Sequence, residues 1–161
     1  LNFPFVFSFD SATLINDATT LLFPFEREDG MRALIVEDEF LSRKVLRSFL
    51  TTAFEVEVVV NGQEALDAFR LAHKEGKPYE LILMDIMMPE VDGMEALERI
   101  RDMEREFEVQ RPVKVIMTTA LDDPKTVIRS FHDGEASGYI VKPVDKDKLF
   151  GELEKLGLLA K

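Results

Sequence analysis

The chain has 161 residues, 46% apolar and 32% charged, which suits one domain with a full hydrophobic core. It has no cysteine, which excludes disulfides and thiolate metal sites. The formal net charge of −11 argues against a broad nucleic-acid-binding surface, and no apolar run approaches the ~18 residues of a membrane span.

Residues 1–30 stand apart in composition and hold 6 of the 13 phenylalanines. Phe3, Phe5, Phe7 and Phe9 alternate strictly, and Phe23-Pro24-Phe25 repeats the Phe-Pro-Phe of Phe3-Pro4-Phe5. Period two suggests a strand with one aromatic face, and Pro4 restricts it to an edge or a strand start. The segment reads either as a disordered extension or as an ordered arm over a sheet edge or a partner's groove. The first cationic residue is Arg27, so the basic start of a secretory leader is missing, and the chain is read as cytoplasmic.

Residues 31–161 form the second part, one domain of alternating elements. Ala33 to Val36 is a continuous apolar run, as expected of a strand covered on both faces. Phe40, Leu41, Val45, Leu46, Phe49 and Leu50 then recur at helical spacing. Val56 to Val60 reads as a second strand, broken by Asn61-Gly62, and Ala65, Leu66, Phe69 and Ala72 mark a helix face. Leu81 to Met84 is the third strand, followed by a helix marked by Met94, Leu97 and Ile100. Val113 to Met117 is the fourth strand, and Val127, Ile128 and Phe131 mark a fourth helix. Tyr139 to Val141 is the fifth strand, and Leu149, Phe150, Leu153 and Leu156 the last helical stripe. Five strands alternating with five helices predict an α/β, doubly wound fold with a parallel sheet.

In such sheets ligands bind beyond the carboxyl ends of the strands. Four features sit there: Glu37-Asp38, Asp85 within Leu83-Met84-Asp85-Ile86-Met87-Met88-Pro89-Glu90-Val91-Asp92-Gly93, Thr119-Ala120, and Lys142-Pro143 after Ser137-Gly138-Tyr139-Ile140-Val141. If the first and third strands are neighbours, Glu37, Asp38 and Asp85 crowd together, and clustered carboxylates favour a hard dication such as Mg²⁺. Asp92-Gly93 reads as a helix start. Met84, Met87, Met88 and Met94 read as packing residues, and His73 and His132 as surface or packing residues. Glu104, Glu106 and Glu108 read as a solvated face.

These motifs, in order over about residues 31–157, closely resemble the response-regulator receiver family. The resemblance implies a flavodoxin-like (βα)5 fold with sheet order 2-1-3-4-5. It implies that Asp85 is the phosphoacceptor, with Lys142 supplying positive charge and Thr119 a hydroxyl. It implies Mg²⁺ held by Asp38, Asp85 and the backbone carbonyl of Met87, with Glu37 behind or through water. It implies a cis Lys142–Pro143 bond, and a switch in which Thr119 and Tyr139 move together. Met87 and Leu121 occupy the family's variable positions that tune dephosphorylation. Both are apolar and offer no group to position a water, so slow hydrolysis is expected.

The implied donor is a histidine kinase or a histidine phosphotransfer protein. The implied target is a downstream protein, with homodimerisation through the fourth helix, fifth strand and fifth helix, or through the N-terminal arm. The chain is expected to be a signalling switch without an output domain, catalysing only its own phosphorylation and dephosphorylation. Two alternatives stand beside it: an aspartyl-phosphate phosphohydrolase, and a phosphorylation-independent interaction module. The first lacks the Asp-x-Asp motif of haloacid-dehalogenase-type phosphatases, because Ile86 and Met87 follow Asp85.

Overall fold

The computed structural model describes residues 30–120 and 136–160. The Phe-rich segment, Leu121, the fourth helical stripe around Val127–Phe131 and His132 lie outside the described residues. The chain runs β1 (Arg32–Val36), α1 (Phe40–Leu50), β2 (Glu55–Val59), α2 (Gly62–Lys74), β3 (Leu81–Asp85), α3 (Gly93–Glu106), β4 (Lys114–Thr119), β5 (Gly138–Val141) and α4 (Lys146–Lys155). The five strands form one parallel sheet in the order β2-β1-β3-β4-β5. Every strand expected from the sequence is present, with bounds shifted by one or two residues.

Successive side chains of a strand point to opposite faces, so a strand buried on both sides divides its residues between two cores. Leu34, Val36, Ile82, Met84, Val115 and Met117 pack on one face, against Phe69 of α2 and Leu97 and Ile100 of α3. Ala33, Ile35, Leu81, Leu83, Ile116 and Ile140 pack on the other, against Leu46 and Leu50 of α1 and Leu149 and Leu153 of α4. Both layers leave the carboxyl ends of β1, β3, β4 and β5 at one rim.

Helix starts follow capping chemistry. The side chains of Asn61, Asp92 and Asp145 accept backbone N–H bonds at the first turns of α2, α3 and α4. Asp92 is thus the helix start that the sequence predicts. Gly93 behind it touches the strand, since a Cβ there would overlap the carbonyl oxygen of Asp85. Its N–H donates to the Ile86 carbonyl at 2.9 Å. Only glycine lets α3 begin so close to the end of β3.

Three expectations need correction. Glu104 is not part of a solvated face: it is 6% exposed, pairs with Arg101 at 2.6 Å and accepts from the Val113 N–H at 2.6 Å. It ties the end of α3 to the approach to β4, while Glu106 and Glu108 are exposed. Met87 is not a packing residue but is 70% exposed, whereas Met84 and Met88 are buried. In α1 only the Leu46, Phe49 and Leu50 part of the stripe faces the core; Phe40, Leu41 and Val45 are exposed. His73 has the expected packing role, stacked between Phe69 and Phe107 with ring centroids 5.2 Å away on each side.

Candidate functional site

Register brings the polar rim together. Val36 of β1 pairs with Met84 of β3, so Glu37 follows directly beside Asp85. Asp85 in turn pairs with Thr118 of β4, and Thr119 with Val141 of β5. One residue beyond Val141 is Lys142, whose bond to Pro143 is cis. Its backbone N–H donates to the Thr119 carbonyl at 2.7 Å.

Lys142 Nζ lies 2.8 Å from Asp85 Oδ2, to which it donates a hydrogen bond, and 2.8 Å from Glu37 Oε2. The contact with Glu37 is an ion pair without hydrogen-bond geometry, which leaves Oε2 as a buried acceptor with no donor. Glu37 is 1% exposed and Asp85 5%. Glu37, Asp38 and Asp85 each offer one carboxylate oxygen, and these atoms lie within 4.8 Å of one another. Asp38 is the exposed member.

The electrostatics follow from this crowding. Burial holds the Glu37 carboxyl above its ordinary value; the Lys142 ammonium opposes this and the Asp85 charge adds to it. Burial disfavours the Lys142 ammonium, yet its contacts with Asp85 and Glu37 outweigh that and raise its pKa. One cation therefore faces three acids. The excess negative charge suits a hard divalent ion, and oxygen-only donors fit Mg²⁺ or Ca²⁺ better than a softer metal.

The remaining sequence candidates divide. Met87 is adjacent, and its N–H donates to Asp85 Oδ1 at 3.3 Å. Thr119 is buried, and its hydroxyl donates to the Ala120 carbonyl at 3.2 Å. Tyr139 is half-buried against the core on the α2 and α3 side.

Two residues escaped the sequence reading. Arg43 Nη1 donates to the backbone carbonyls of Glu37 and Asp38, at 2.9 and 2.6 Å. Its signal in sequence was faint: a cation in the second turn of a helix that follows an acidic pair. Thr118 has a fully buried hydroxyl with no hydrogen-bond partner, on the strand position facing Asp85. In sequence it is one more β-branched strand residue.

Comparison with known proteins agrees with this geometry. The family model described as "Response regulator receiver domain" matches residues 33–154. The regulatory protein VanRB of Enterococcus faecalis is 36% identical over 137 residues, 82% of this chain and 56% of VanRB. The receiver domain of the histidine kinase CKI1 from Arabidopsis thaliana, solved in complex with Mg²⁺ and BeF₃⁻, superposes with a TM-score of 0.69 at 28% identity. That match covers 81% of this chain and 92% of the other. The receiver domain of Ssk1 from Saccharomyces cerevisiae, solved with the histidine phosphotransfer protein Ypd1, gives a TM-score of 0.69 at 30% identity, covering 81% and 90%.

The fold and the family match define a signalling receiver module. This chain belongs to the response regulator receiver family. It spans little more than half, or less, of the length of the curated relatives it matches first. No helix among the described residues is long and apolar enough to cross a membrane.

Proposed function

We propose that Asp85 is the phosphoacceptor of this receiver, and that Asp38, Asp85 and the backbone carbonyl of Met87 hold Mg²⁺ beside it, with Glu37 behind them or acting through water. The observation that carries the reading is the Lys142 ammonium seated 2.8 Å from Asp85 within a three-carboxylate cluster. An oxygen of Asp85 attacks phosphorus, the O–P bond forms, and the donor's N–P bond breaks with its electron pair left on the imidazole nitrogen. Lys142 turns from its carboxylates to a phosphoryl oxygen, setting its positive charge against the negative charge of the phosphoryl group. Mg²⁺ supplies neutralisation of the phosphoryl charge when bound. Thr119 exchanges its bond to the Ala120 carbonyl for one to the phosphoryl group, and Tyr139 follows. The phosphoryl group biases an existing equilibrium of the β5 face, where a downstream protein binds.

The donor in this reading is a phosphohistidine on a histidine kinase or histidine phosphotransfer protein. Support comes from the apolar surface beside the site. Leu41, Val45, Leu46, Pro143 and Val144 line a groove of about 500 Å³ that opens next to Glu37 and Lys142. Exposed Phe40 and Leu41 extend it along α1. A helical donor covering this groove brings its histidine over Asp85, and the Ssk1 receiver was solved with a protein of that class. The test is phosphoryl transfer from a phosphorylated histidine phosphotransfer protein. Transfer is expected to the wild type with Mg²⁺ and not to Asp85→Asn; equal labelling of both rejects the assignment. Leu41→Asp is expected to slow transfer from the protein donor while leaving labelling by acetyl phosphate unchanged.

A further inference from the structure

Asp38 is exposed, and its carboxylate has no hydrogen bond or ion pair among the described residues. No partner among the described residues holds its carboxylate toward Glu37 and Asp85, so the backbone that carries it matters for where it lies. That backbone belongs to the short crossing from β1 to α1, between Val36 and Phe40. The strand side is fixed by the Glu37 N–H donating to the Val59 carbonyl at 3.2 Å. The Glu39 N–H bonds to Glu37 Oε1 at 3.1 Å, and the Glu39 side chain caps α1 through the N–H groups of Leu41 and Ser42.

A single group holds the carbonyls of both Glu37 and Asp38. Arg43 Nη1 reaches back from α1 and donates to both oxygens, at 2.9 and 2.6 Å. The guanidinium makes no ion pair with a carboxylate among the described residues; its plane lies near the Phe40 ring, 5.8 Å from its centroid. A charged donor on a carbonyl makes a stronger hydrogen bond than a neutral one, and two on adjacent peptides fix the orientation of both.

We propose that Arg43 is a positioning residue for the cation site: by clamping the two carbonyls it turns the Glu37 and Asp38 carboxylates toward Asp85. The inference rests on the Mg²⁺ reading given above. Clamp and charge have effects of opposite sign. As a bare cation close to the acids, Arg43 opposes a dication, so its removal tightens Mg²⁺ binding. As a clamp, its removal lets the crossing relax and weakens binding. Groups that orient metal ligands without touching the metal typically account for about 10- to 100-fold in affinity.

The experiment is a magnesium chloride titration of the full chain, followed by NMR shifts of the backbone amides around Asp38 and Asp85. The variants are Arg43→Gln and Arg43→Met, the second keeping an unbranched apolar stem over Phe40, with Lys44→Gln as a charge control on exposed α1. Circular dichroism confirms that each is folded. Affinity is expected to fall about tenfold in either Arg43 variant, and to hold or rise slightly in Lys44→Gln. Equal or tighter binding by the folded Arg43 variants, with a wild type that binds, overturns the clamp alone. A wild type whose amides near Asp38 and Asp85 do not respond to Mg²⁺ overturns the site reading, and the clamp with it.

Discussion

Removing the charge of Asp38 is expected to stabilise the metal-free protein and to abolish its response to Mg²⁺. The three carboxylates have oxygens within 4.8 Å of one another, and Lys142 is the one cation paired with them among the described residues. Asp38 faces two acids; the charges of Lys142, paired with those acids, and of Arg43, on the Asp38 carbonyl, offset part of that repulsion and leave at most about one uncompensated. At that separation a single repulsion costs about 1 kcal/mol in a water-like dielectric and about 3 kcal/mol at the effective value for near-surface pairs. Salt lowers both figures. Asp38→Asn is nearly isosteric, so the relief should appear as about 1–2 kcal/mol of added stability in EDTA, a rise in melting temperature of roughly 2–8 °C. On the proposed reading Mg²⁺ binds the native state alone, and at ten times its dissociation constant it would add about 1.4 kcal/mol to the wild type. Calorimetric melts of both proteins, in EDTA and in a magnesium series, give all four values. A variant that melts below the wild type in EDTA, or that keeps the full Mg²⁺ increment, would refute the crowding argument.

Lys142→Met leaves two buried carboxylates without their cation and should destabilise the fold by about 3 kcal/mol in urea titrations. The pH dependence has a definite sign: the folded pKa of Lys142 lies above its ordinary 10.5. Its stabilisation is complete below about that pH and is lost as pH rises through the folded value. Melts between pH 9 and about 12 should show this loss in the wild type and not in Lys142→Met. Thr118→Val replaces a buried unpartnered hydroxyl with a methyl and should raise stability by about 1 kcal/mol in urea titrations; a loss of stability would mean the hydroxyl has a partner. Gly93→Ala pushes a Cβ into the Asp85 carbonyl oxygen, and should cost about 2 kcal/mol or more and slow labelling at Asp85; neutral behaviour in both assays would contradict the close approach. Met87→Asn adds a polar group beside Asp85 and should shorten the acyl-phosphate lifetime, measured by phosphate release; an unchanged lifetime removes position 87 from that role.

The sheet and the acidic site were legible in the sequence for physical reasons. A buried parallel strand must be apolar on both faces, so Ala33–Val36 and Leu81–Met84 stood out as continuous runs. Polar residues directly after such runs have to lie at the carboxyl rim, which places Glu37, Asp38, Asp85 and Lys142 there. Helix surfaces were less legible. Phe40, Leu41 and Val45 have helical spacing, but spacing does not say which apolar residues face a core and which stay exposed. Glu104 looked solvated because its partners, Arg101 and the Val113 N–H, are assembled only when α3 meets the approach to β4. Arg43 was invisible for a related reason: it acts on backbone carbonyls, and these carry no residue identity.

The most direct check is to treat the full chain with acetyl phosphate and Mg²⁺, trap the acyl phosphate and find the modified residue by mass spectrometry. The expected mark is one phosphoryl increment on the peptide bearing Asp85, gone when EDTA replaces Mg²⁺. A mark on another residue, or one on Asp85 that forms equally well in EDTA, would contradict the proposed site.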